Sequence, residues 1–115
     1  MQSKSLYTRV VENVRDLKTY QMILEYYIVE KTIGEGYCEL KSYGIQITKI
    51  STYEDGRKRE ESELIQDIFF DRDDTLNFIQ TIADHRVTPA TLKDVIDDFI
   101  GRTIEQKRQK ADKTA

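Results

Sequence analysis

From Leu92 to Ile100 the apolar residues Leu92, Val95, Ile96, Phe99 and Ile100 fall at i, i+3, i+4, i+7 and i+8, the stripe of an amphipathic helix. Thr88 and Pro89 precede it in the cap and first-turn positions, and Gly101 follows as an expected stop. A second stripe, Leu76, Ile79, Ile82 and Ala83 with Phe78 beside it, predicts a helix over 71–86, with Asp71 or Asp73 as its cap.

Upstream the period changes from 3.6 to 2. The run Leu24 to Ile33 is rich in β-branched and aromatic residues and ends at Gly34-Glu35-Gly36. Tyr37 to Thr52 is a second extended run, with Ile45 and Ile47 on one face, Gln46 and Thr48 on the other, and Gly44 marking a bulge or bend. Asp55-Gly56 then signals a tight hairpin into a third run, Lys58 to Phe70. There Leu64, Ile68 and Phe70 are expected on the core side, with Ile65 and Phe69 on the outer side. Residues 1–20 fit either period. Tyr7, Val10, Val11, Val14 and Leu17 form a helical stripe, so a marginal helix is expected.

These elements define an α+β domain over 21–101, a three-stranded antiparallel meander followed by two helices packed on one face. Residues 1–20 and a polar basic tail at 102–115, expected to be disordered, flank it.

Composition narrows the function classes. The net charge of −3 conceals basic ends and an acidic body: +2 over 1–20, −8 over 21–101 and +3 over 102–115. Such a body disfavours a nucleic-acid surface, which needs clustered Lys and Arg, and leaves only the weakly basic ends for that alternative. No apolar run reaches the roughly 20 residues of a membrane span, and the first residues lack a secretory h-region. The single cysteine, Cys38, forms no internal disulfide, in keeping with a cytoplasmic protein.

Candidate chemistry is sparse. Asp71-Arg72-Asp73-Asp74 fails as a calcium loop, because the positions that need Gly and Glu hold Leu76 and Ile82; helix capping accounts for it. His85, the only histidine, sits where a helix C-terminus favours a cation. Cys38 lies among strand residues without a neighbouring base. Gly34, Gly36 and Gly44 match no phosphate loop. No motif brings together a nucleophile, a base and an orienting group, so neither catalysis nor a cofactor or metal is expected. The candidate interface residues are Tyr27, Ile65 and Phe69 on the outer sheet face and Asp94, Asp97 and Asp98 on the polar face of the second helix. Ile65 and Phe69, so exposed, would favour a homodimer through the outer face unless Val10, Val14 and Leu17 cover it.

The segment from Tyr26 to Gly101 resembles a domain family of unknown function from small proteins of clostridia-like Gram-positive bacteria. The residues that carry the resemblance are Tyr43-Gly44-Ile45-Gln46-Ile47, Asp71-Arg72, and Val87-Thr88-Pro89 followed by Leu92-Lys93-Asp94-Val95-Ile96-Asp97-Asp98-Phe99. The resemblance implies no activity, cofactor or catalytic residue. The expected role is a small protein-interaction or regulatory module with an unknown protein partner.

Overall fold

The computed structural model describes residues 2–13, 19–34, 36 and 39–113. Val14, Leu17, Tyr37 and Cys38 lie outside the described residues, and with them the expectation for the lone thiol. Four strands, β1 (Gln2–Asn13), β2 (Thr19–Ile33), β3 (Leu40–Tyr53) and β4 (Lys58–Phe69), form one antiparallel sheet in the order of the chain. Two helices follow, α1 (Arg72–Asp84) and α2 (Pro89–Lys113).

The α+β class is as expected, but three details differ. First, the N-terminal segment is a strand rather than a helix. β1 pairs with β2 from Gln2↔Lys31 to Asn13↔Gln21, with a bulge between Leu6 and Thr8. The bulge turns Tyr7 toward the helices, where its hydroxyl donates to Gln80 Oε1. Tyr7 and Val10 pack on the core, so an apolar pattern that fits both periods is decided by the free edge of β2.

Second, Ile65 and Phe69 of β4 face the opposite way. Ile65 and Phe69 share a face, as the period-2 pattern says. That face is the helix side, because Ile65 pairs with Ile45 and Phe69 with Tyr43. Leu64 is on the open side and Phe70, past the strand, is exposed, whereas Ile68, beyond the bulge, packs on the core as expected. Alternation along one strand groups residues by face but leaves open which group is buried; the register against β3 decides it. Between those two pairs β4 carries extra residues in a bulge, with Asp67 at φ 57°. Ser42 donates to Asp67 Oδ1 at 2.6 Å, and Lys31 Nζ lies 3.6 Å from Oδ2.

Third, α2 does not stop at Gly101 but continues to Lys113, so the described part of the expected tail is helical. Gly101 has negative φ and open space around it, and one glycine lowers helix stability without ending a helix.

Two of the expected local signals are in place, the cap of α1 and the hairpin after β3. Asp71 caps α1, accepting from the N–H groups of Asp73 at 2.7 Å and Asp74 at 3.2 Å. The hairpin 53–57 closes with Gly56 at φ 86°, Gly56 N–H donating to the Tyr53 carbonyl and Tyr53 N–H to that of Arg57. At the other end of α1, the Arg86 N–H bonds the Ala83 carbonyl and the Val87 N–H that of Ile82, a paired C-terminal closure with Arg86 in the left-handed region. Arg86 donates from Nε to Glu12 on β1 at 2.9 Å and from its guanidinium to the Ala83 carbonyl.

The core lies between the sheet and the helices. Leu24, Tyr26 and Ile28 of β2 and Tyr43, Ile45 and Ile47 of β3 meet Phe78, Ile79, Ile82 and Ala83 of α1 and Leu92 and Ile96 of α2. Tyr26 is fully buried, and its hydroxyl donates to the Val87 carbonyl at 2.8 Å, tying the sheet to the connection between the helices. Burial pushes its pKa up to about 12, with Arg86 opposing and Glu12 adding.

Candidate functional site

The two helices are joined through residues 85–88, and a groove lies between them. One side of α1, from Asp74 to Ile82, and the middle of α2, from Val95 to Ile104, line this groove of about 890 Å³. Its floor is an aromatic cluster. Phe69 of β4, Phe78 of α1 and Phe99 of α2 have ring centroids 4.8–5.8 Å apart, all tilted or edge-on. Each comes from a different element, so the cluster exists only once β4 turns Phe69 toward the helices. Phe70, Ile100 and Ile104 extend the apolar lining outward and are 62%, 42% and 61% exposed.

The rim is acidic. Asp71 and Asp74 stand on the α1 side; Asp98 and Arg102 stand on the α2 side, paired at 3.1 Å across one helical turn. Asp71 is occupied as the helix cap. The lining contains no histidine, cysteine, serine, lysine or tyrosine. The groove can therefore bury apolar surface and attract cations at its edge. Among the described residues no three His, Cys, Asp or Glu side chains gather as metal ligands.

The sequence candidates fall in three places. Ile65 and Phe69 are half-buried under the helices and are not on the outer sheet face; the large apolar residues exposed on that face are instead Leu6, Val11 and Leu64. Tyr27 does lie on that face, opposite Gln46, with Lys4 Nζ 4.6 Å from its ring centroid. Burial, then the Glu25 carboxylate, raises its pKa. Its surroundings are mixed: it pairs with Leu6 of β1, 51% exposed, while Arg9 pairs with Glu25 at 3.5 Å and Gln46 donates to Ser62 at 2.8 Å. Asp94, Asp97 and Asp98 are all exposed on α2, and of the three only Asp98 reaches the groove. His85 caps the C-terminus of α1, its Nδ1 2.8 Å from the Thr81 carbonyl.

The sequence pattern did not mark Phe70, Ile100 and Ile104 as groove residues, and it put Phe70 on the core side. Ile104 belongs to the segment expected to be disordered, and Ile100 reads as the end of a buried stripe. Their role depends on α2 outrunning the sheet.

Fold and groove together define a small α+β domain with a four-stranded meander and an apolar cleft between its helices. The chain belongs to a family of unknown function, DUF6514, whose sequence model matches residues 7–102. That match takes in most of β1, so the family unit starts earlier than the resemblance over 26–101 implied. It ends at Arg102, on the rim of the groove. The chain matches no curated protein and no solved structure. Among the described residues no helix is long and apolar enough to cross a membrane.

Proposed function

We propose that this chain is a non-catalytic protein-interaction module of the bacterial cytoplasm, and that it takes a basic amphipathic helix into the groove between α1 and α2. The observation that carries the reading is the pairing of an apolar aromatic floor with a rim of three carboxylates and one guanidinium. Helix-in-groove recognition uses such a floor for the apolar stripe of the incoming helix, and the rim charge selects basic flanks. A small-molecule site would instead gather convergent polar groups to fix orientation, and here the polar groups stand at the edge. The lone cysteine and the acidic body support an intracellular, protein-directed role.

Photo-crosslinking tests this. p-Benzoylphenylalanine in place of Phe70, irradiated in the native cell, is expected to give one discrete adduct whose attached peptide maps to a basic amphipathic helix. The same group in place of Leu64, on the open sheet face, is expected to give none. Adducts at 64 and none at 70, or attachment at 70 to acidic or extended segments, would refute the assignment.

A further inference from the structure

α2 is 25 residues long, about 37 Å at 1.5 Å per residue. Its burial declines along its length: Leu92 is 0% exposed, Ile96 3%, Phe99 37% and Ile104 61%. The second half thus outruns the sheet. Ile100 and Ile104, one turn apart, share a face with nothing deep to bury against. A helix end without packing is marginal in water, so this extension calls for a partner. Residues 102–113 contain Arg102, Lys107, Arg108, Lys110 and Lys113 against Glu105 and Asp112, so the extension is basic.

The same chain therefore contains an acid-rimmed apolar groove and a basic helix with an apolar edge. Resting on the groove reading above, we infer that the occupant of the groove is the second half of α2 from a second copy of this chain, laid antiparallel to the first α2 in a closed two-fold dimer. The extension cannot fill its own groove, because it continues the helix that forms one wall. A second α2 laid in that groove necessarily offers its own groove to the first, so the contact is made twice and closes. The antiparallel sense puts the acidic stretch Asp94, Asp97 and Asp98 of one copy opposite the basic stretch beyond Gly101 of the other; a parallel sense would set like charges together. This contact uses the helix layer and leaves the open sheet face free.

Sedimentation equilibrium of the full chain is expected to give twice the chain mass of 13.5 kDa at tens of micromolar. Ile104→Glu, at a position exposed in the single chain, is expected to weaken the dimer by at least about 100-fold while the circular dichroism spectrum stays unchanged. Asp94→Lys with Asp98→Lys is expected to weaken it less, and 0.5 M salt to reduce the difference between that variant and the parent. Leu64→Glu is expected to leave the mass unchanged. In the dimer, the adduct formed at residue 70 maps within residues 99–113 of the other copy. A monomer at 200 µM overturns the inference, as does a dimer that survives Ile104→Glu or is dissolved by Leu64→Glu. If the chain is monomeric and the adduct at 70 lies on a basic helix of another protein, the second-copy occupant fails while the groove reading stands. If no adduct forms at 70, both fail.

Discussion

Replacing Gly44 by alanine tests the β3–β4 register on which the buried face of β4 depends. A Cβ at residue 44 would stand 2.5 Å from the Ile65 carbonyl oxygen and 2.8 Å from Gln66 Cα. Both are backbone atoms of the β4 bulge, and no side-chain rotation can relieve the clash. Restoring an ordinary contact of about 3.4 Å requires the bulge to retreat by roughly 0.9 Å. That movement strains the Ser42–Asp67 hydrogen bond and the Tyr43–Phe69 pair. Overpacking of this kind costs about 1–3 kcal/mol, and weakening one hydrogen bond adds about 1 kcal/mol. The smaller entropy of the unfolded alanine chain offsets about 0.5–1 kcal/mol. The net expectation is a loss of about 2 kcal/mol, which at an m-value of about 1.5 kcal/mol/M lowers the urea midpoint by roughly 1.3 M. Gly101→Ala is the internal control. Its Cβ meets nothing within 4 Å, it lies within a helix, and it is expected to raise stability by about 0.5–1 kcal/mol. Urea melts at one fixed protein concentration read both. Shifts of the same sign, or a Gly44→Ala protein as stable as the parent, would show that β4 does not press on residue 44 and would remove the basis for placing Ile65 and Phe69 inside.

Truncation of Phe78, nearly buried between Phe69 and Phe99, should cost about 3–5 kcal/mol in urea melts; Phe99→Ala, at a position 37% exposed, should cost roughly half as much, and Asp97→Ala less than about 0.5 kcal/mol. Tyr26 ties a pH dependence to the core. Its folded-state pKa is raised from 10 to about 12, so its contribution is complete below pH 10 and is lost as pH rises from 10 through 12; an alkaline titration followed by circular dichroism should show this loss, and Tyr26→Phe should flatten it. At neutral pH the same substitution should cost about 1–3 kcal/mol, because the Val87 carbonyl loses its donor. A chain beginning at residue 21 should lose cooperative thermal unfolding, because removing β1 exposes the edge of β2 and uncovers the core beneath Tyr7 and Val10; a sharp melt with native near-ultraviolet dichroism would show β1 to be an accessory strand.

Local chemistry alone specified much of this protein. The Asp71 cap, the Asp55-Gly56 hairpin, the buried stripe of α1 and the grouping of Ile45 with Ile47 follow from hydrogen-bonding groups and periodicities within a few residues, and each is in place. The resemblance carried by Tyr43 to Ile47 and Val87 to Phe99 likewise rests on sequence, and a family of unknown function does match the chain over 7–102. Other features were decided between segments far apart in the chain. The N-terminal residues are a strand because β2 offers an edge, although their own pattern also fits a helix. Ile65 and Phe69 are inside because β3 sets their register, although alternation in β4 is symmetric between the two faces. The groove was hidden from the sequence for the same reason. Its floor joins three phenylalanines from three elements, and its outer wall is a stretch of α2 whose exposure depends on where the sheet ends. Periodicity states which residues point the same way; only packing decides what they point at.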